Sequence, residues 1–88
     1  MTTHLKAMPY AQAHVEINNG NISLISYQTK VAEIDKEGWF QVYGLYSMTT
    51  RKHLFAFAKE YAGMGFEVVK HLANTGEKLN IKTGELVA

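Results

Sequence analysis

The stretch from residue 50 to 62 most constrains how this 88-residue chain can fold. Leu54, Phe57, Ala58 and Tyr61 recur at i, i+3, i+4 and i+7, which gathers them on one face of a helix. Lys52, Lys59 and Glu60 fall toward water, and Phe55 lies off the apolar stripe. Gly63 and Gly65 end the run, because glycine takes the left-handed C-terminal cap without steric cost. A helix with one such stripe must lay it on another layer, and the rest of the chain reads as strands.

His14 to Ile17 and Ile22 to Tyr27 flank Asn18-Asn19-Gly20-Asn21, residues that tolerate positive φ, so this pair reads as a hairpin. Leu24 and Ile25 are adjacent and apolar. A strict period of two separates them, so either both faces are covered or a bulge intervenes. Lys30 to Ile34 reads as a third strand and residues 35–38 as a turn. Residues 39–46 form the strongest strand pattern, with Phe40, Val42 and Tyr46 on one face and Trp39, Tyr43 and Leu45 on the other. Gly44 weakens that strand and marks a close approach of the helix. After the helix, residues 66–72 read as a strand, residues 74–76 as a turn, and residues 78–81 and 85–87 as closing strands. Residues 1–9 read as a loose N-terminal arm in which Pro9 excludes a helix. The pattern predicts one α+β domain over residues 1–88. It is a small antiparallel sheet of five or six strands with one helix packed across it, in the order β-β-β-β-α-β-β.

A hydrophobic share of 47% is ample for one modest core. The chain has no cysteine, which removes disulfides, thiol catalysis and thiolate zinc sites and leans toward a reducing compartment. The apolar runs are too short to span a bilayer, and residues 1–10 carry no signal-peptide core. A net charge of +1 argues neither for nor against nucleic acid. His4, His14, His53 and His71 show no metal-ligand spacing, and no phosphate cradle or nucleophile elbow is present. The expectation is therefore no metal and no cofactor.

The candidate site is Ser47-Met48-Thr49-Thr50-Arg51-Lys52-His53, where strand gives way to helix. A helix start leaves N–H groups without partners, and Ser47, Thr49 or Thr50 can each cap them. Acids belong at that positive end of the dipole, yet Arg51 and Lys52 stand there instead. Two readings follow. The segment is a plain helix cap, or it is a cap that also takes an anion: a phosphate, a nucleic-acid backbone or a partner's carboxylate. The dipole and Arg51 predict a depressed pKa for His53. It is either a structural histidine hydrogen-bonded to the sheet or a base acting with Ser47 or a threonine, for which no orienting acid stands out. Tyr27, Trp39, Tyr43 and Tyr46 are core residues or base-stacking platforms.

The segments Ser26-Tyr27-Gln28-Thr29-Lys30-Val31-Ala32, Tyr46-Ser47-Met48-Thr49-Thr50-Arg51-Lys52-His53 and Phe57-Ala58-Lys59-Glu60-Tyr61 resemble a family of small uncharacterised proteins. Its members occur in tailed phages, prophages and their bacterial hosts. The resemblance covers residues 22–61 and implies that Tyr27, Thr29, Tyr46, Ser47, Thr49, Thr50 and His53 are the positions to watch. Phe55-Ala56-Phe57 is more apolar than the family pattern and points, with Tyr27 and Thr29, to a partner surface. The resemblance supplies a phage or mobile-element context and no activity; the absence of a catalytic set leads to the expectation of a non-enzymatic accessory protein in a bacterial cytoplasm that binds a macromolecule. The alternatives are a nucleic-acid or nucleotide binder working through residues 47–53 and an inhibitor of a host defence system. Phe55 and exposed sheet edges also allow a homodimer.

Overall fold

The computed structural model describes residues 1–8, 12–44 and 47–88. Five strands come first: β1 (Thr2–Thr3), β2 (Ala13–Asn18), β3 (Asn21–Ser26), β4 (Thr29–Ile34) and β5 (Trp39–Val42). Helix α1 (Met48–Phe57) runs into a π-helical turn (Ala58–Ala62), helix α2 (Phe66–Thr75) follows, and β6 (Lys78–Asn80) and β7 (Leu86–Val87) close the chain. The strands form one antiparallel seven-stranded sheet whose order is that of the sequence.

Period-two alternation sorts the sheet into rows. Val15, Leu24, Ala32 and Val42 lie in register on the buried face, and Ile17, Ile22, Ile34, Phe40 and Leu79 form a second apolar row beside them. Glu16, Ser23, Glu33 and Gln41 make the intervening polar row on the other face. One face packs on helices and the other meets water, as antiparallel sheets allow. Leu54, Phe57 and Ala58 from α1 and the π turn, with Val69 and Leu72 from α2, complete the core. Phe40 and Phe57 meet ring to ring at 6.1 Å.

The phase change at Leu24 and Ile25 resolves as a bulge. Leu24 pairs with Ala32 but Ile25 with Lys30, which leaves Val31 as the extra residue on β4. Val31 and Ala32 are both buried, and the Val31 carbonyl accepts from the Tyr43 N–H at 3.0 Å. The first hairpin turns through Asn19 and Gly20, both at positive φ. A Cβ on Gly20 would sit 2.9 Å from Lys36 Cβ, so that turn needs glycine for space as well as for φ.

Three sequence expectations need correction. Residues 66–72 are helical, so the described residues form two α-helices and seven strands rather than one helix and five or six strands. Phe66, Val69, Leu72 and Ala73 follow a helical stripe, whereas a strand would set Lys70 on the same face as Phe66 and Leu72. Gly65 stands as the extended N-cap of α2 and Gly76, at φ 74°, as its left-handed C-cap. The N-terminal residues are not a loose arm over residues 1–8: Thr2 and Thr3 pair with Glu16 and Val15, Leu5 is fully buried, and the Lys6 N–H donates to Glu60 at 2.8 Å. Finally, β5 ends at Val42. Pro9, Leu45 and Tyr46 lie outside the described residues.

Candidate functional site

Ser47 is the N-cap of α1. Its backbone is extended, its Oγ accepts from the Thr50 N–H at 3.2 Å, and its carbonyl accepts from the Arg51 N–H at 3.0 Å. By helix geometry the N–H groups of Met48 and Thr49 have no acceptor within the helix.

Behind the cap a chain of hydroxyls runs inward. Ser47 Oγ donates to Thr50 Oγ1 at 3.3 Å, Thr50 Oγ1 lies 3.0 Å from Ser26 Oγ, and Ser26 Oγ lies 2.8 Å from His53 Nδ1. If each hydroxyl donates to the next, the series ends on an unprotonated Nδ1 and every member is satisfied. Burial holds the His53 pKa below its ordinary value of 6.5. The direction is the one expected from sequence, and the cause the structure supplies is desolvation by burial. The Tyr27 ring, 6.1 Å away, leans over the imidazole. Tyr27 holds a φ of 57°, a left-handed value that a bulky residue rarely adopts.

Thr50 and His53 thus face the sheet, so of the residues expected at an anion site only Ser47, Thr49, Arg51 and Lys52 face solvent. His53 is 1% exposed and Ser26 2%. Their hydroxyl–imidazole pair has the spacing of a nucleophile and its base. Among the described residues, however, no carboxylate hydrogen-bonds the imidazole. No three His, Asp or Glu side chains among them gather in a metal-binding group.

The outer face of α1 is different. Met48, Arg51, Lys52 and Phe55 form a second i, i+3, i+4, i+7 stripe, and with Phe66 they line an open groove of about 250 Å³. Met48 is 68% exposed and Phe55 43%, and the Phe55 ring stacks on Phe66 with centroids 5.9 Å apart. Arg51 and Lys52 join none of the ion pairs found among the described residues, and the first turn of α1 holds no acid. Tyr27 and Thr29 do not line this groove; Tyr27 lies in the turn between β3 and β4, and Thr29 opens β4. Sequence reasoning missed Ser26, Met48 and Phe66. The heptad spacing of Met48 and Phe55 was the available signal for the first of the two groove residues; the helix of Phe66 had been read as a strand.

These features define a small α+β domain in which a sequential antiparallel sheet carries two helices on one face and leaves one helix surface open. The chain belongs to DUF8033, a family of unknown function, whose model matches residues 1–74. That span ends within α2, before β6. Comparison with curated proteins and with solved structures gave no match. Among the described residues no helix is long and apolar enough to cross a membrane.

Proposed function

We propose that this protein is a non-enzymatic accessory protein, of phage or mobile-element origin, that binds a macromolecular partner through the outer face of α1. One observation carries the reading. Exposed carbon at Met48 and Phe55, with half-buried Phe66 beside it, flanks two cations that join no ion pair among the described residues, whereas the Ser26–His53 hydroxyl–imidazole pair is closed off beneath the helix. Exposed apolar side chains gathered with charged ones on one face are a common mark of an interaction surface. The groove is smaller than the roughly 300–1,000 Å³ of sites that enclose small molecules, which favours a protruding side chain of a partner.

Affinity capture from nuclease-treated bacterial lysate tests it, with wild type and Phe55→Ser run side by side. A partner held by wild type and lost with Phe55→Ser supports the reading; an unchanged set of captured proteins removes it. The exposed Arg51 and Lys52 favour nucleic acid as a second reading. In that case capture disappears with nuclease, and oligonucleotide binding weakens steeply with salt and with Arg51→Glu.

A further inference from the structure

We infer that the partner presents an acidic amphipathic helix to the outer stripe of α1, with apolar residues one heptad apart and carboxylates between them. The inference rests on the partner-binding reading and goes further by naming the chemistry of what binds.

Three observations lead there. First, the spacing is that of a helix-packing surface. Met48 and Phe55 lie two turns apart, ~10 Å along the axis at ~1.5 Å per residue, and Phe66 of α2 backs Phe55 to form one wall of the groove. An apolar helix reads such a surface through anchors at i, i+3, i+4 and i+7. Second, the charge between the apolar ends has one sign. Arg51 and Lys52 sit at the positive end of the α1 dipole with no acid in that turn, so the local field is uncompensated. A carboxylate placed midway between the anchors neutralises both side chains and the helix end together. Third, the same charges disfavour the other occupants. A twofold pairing of this face with a second copy brings Arg51 and Lys52 against their own counterparts, a like-charge contact that opposes association. Nucleic acid would meet the two cations, but it gains little from a lining of Met48, Phe55 and Phe66 in which the Phe55 ring already stacks on Phe66.

A displayed library of helix-favouring peptides, each roughly 20 residues long, is selected against the full chain and, in parallel, against Phe55→Ser. The expected result is enrichment by wild type alone of sequences with two apolar residues seven apart and Asp or Glu between them. A second selection uses the double variant Arg51→Glu with Lys52→Glu, checked for folding by circular dichroism. It should enrich Lys or Arg at those same positions, and an acidic peptide from the first selection should bind it about tenfold or more weakly. Enrichment with no acidic preference, indifference to the charge swap, or no enrichment over Phe55→Ser each overturns the inference. So does a dimer in sedimentation that Phe55→Ser dissolves, which would give the face to a second copy, or an oligonucleotide that outcompetes the selected peptides. Capture from lysate separates the two levels. If a protein is lost with Phe55→Ser while the library yields no acidic helices, this inference falls and the partner-binding reading stands. If capture is unaffected, that reading falls as well.

Discussion

Ser26 Oγ and His53 Nδ1 lie 2.8 Å apart under the first turns of α1, and this buried hydrogen bond, with the one from Ser26 to Thr50, fastens the end of β3 to the start of the helix. Through Thr50 the same bond reaches the Ser47 cap. Cap, helix and hairpin therefore share one polar network, and its state depends on one imidazole.

That dependence predicts a pH response. Burial lowers the His53 pKa in the folded chain, whereas the unfolded chain titrates near 6.5. The unfolded state therefore takes up the proton first. Stability from this residue is complete above that pH and is lost as pH falls through the ordinary imidazole value toward the depressed one. Protonated Nδ1 would also have to donate to Ser26, which forces the hydroxyl series to reverse so that Ser47 no longer donates to Thr50. Urea unfolding followed from about pH 8 to about pH 5 should show the decline, and His53→Gln should flatten it.

Removing the cap tests the other end of the network. Ser47→Ala should lower stability by about 1 kcal/mol, and Ser47→Asp should retain most of it, because a carboxylate accepts the Thr50 N–H and suits the dipole. Chemical denaturation of the two variants against wild type measures both. A loss for Asp equal to that for Ala would mean that Ser47 acts mainly by donating to Thr50.

Tyr27 holds a left-handed backbone at φ 57° in a two-residue turn, since Ser26 pairs with Thr29. Asn adopts that conformation readily and a β-branched residue does not. Tyr27→Val should cost more than about 1 kcal/mol, and Tyr27→Asn should stay within about 1 kcal/mol of wild type as relief of strain offsets lost ring contact with His53. Thermal unfolding of the pair ranks them.

Asn80 binds two turns together. Its Nδ2 donates to the Glu37 carbonyl at 3.2 Å, and its Oδ1 accepts from the N–H groups of Lys82 at 2.9 Å and Thr83 at 3.2 Å. Asn80→Leu should cost roughly 1–3 kcal/mol by leaving these groups unpaired. Amide hydrogen exchange should show the loss first at Lys82 and Thr83.

Groove substitutions should leave the fold alone. Phe55→Ser forfeits a ring pair worth about 0.5–1.5 kcal/mol at most, so its circular dichroism and denaturation midpoint should stay close to wild type while partner capture is lost.

Much of this architecture could be read from residue spacing. The α1 stripe, the Asn-Gly hairpin and the discontinuity at Leu24 and Ile25 all carry a period or a turn signature that local chemistry enforces. Where reading failed, two periods overlapped. Val68 and Val69 are adjacent and β-branched, which suggests a strand, and the helical stripe of Phe66, Val69, Leu72 and Ala73 spans only the short α2. Leu5 gave no signal because its burial depends on tertiary packing near Glu60, far away in sequence. At the site, the chemistry of a helix start narrowed the cap to Ser47, Thr49 or Thr50, of which Ser47 serves, and a sheet-bonded His53 was one of two readings. Ser26 was not, because which strand residue meets the imidazole depends on how β3 registers against α1.

Strand order across the sheet repeats strand order along the chain, and only the β5–β6 pairing must span a long excursion, residues 43–77, to close. Strands β2 to β5 can zip up through short turns at little loop entropy, whereas β6 docks only after that excursion. Until Leu79 and Asn80 dock beside Phe40 and Trp39, the nascent molecule exposes a raw ladder of backbone donors and acceptors along β5. That interval is when the polypeptide is most open to mispairing with a neighbour, and β6 acts as its seal.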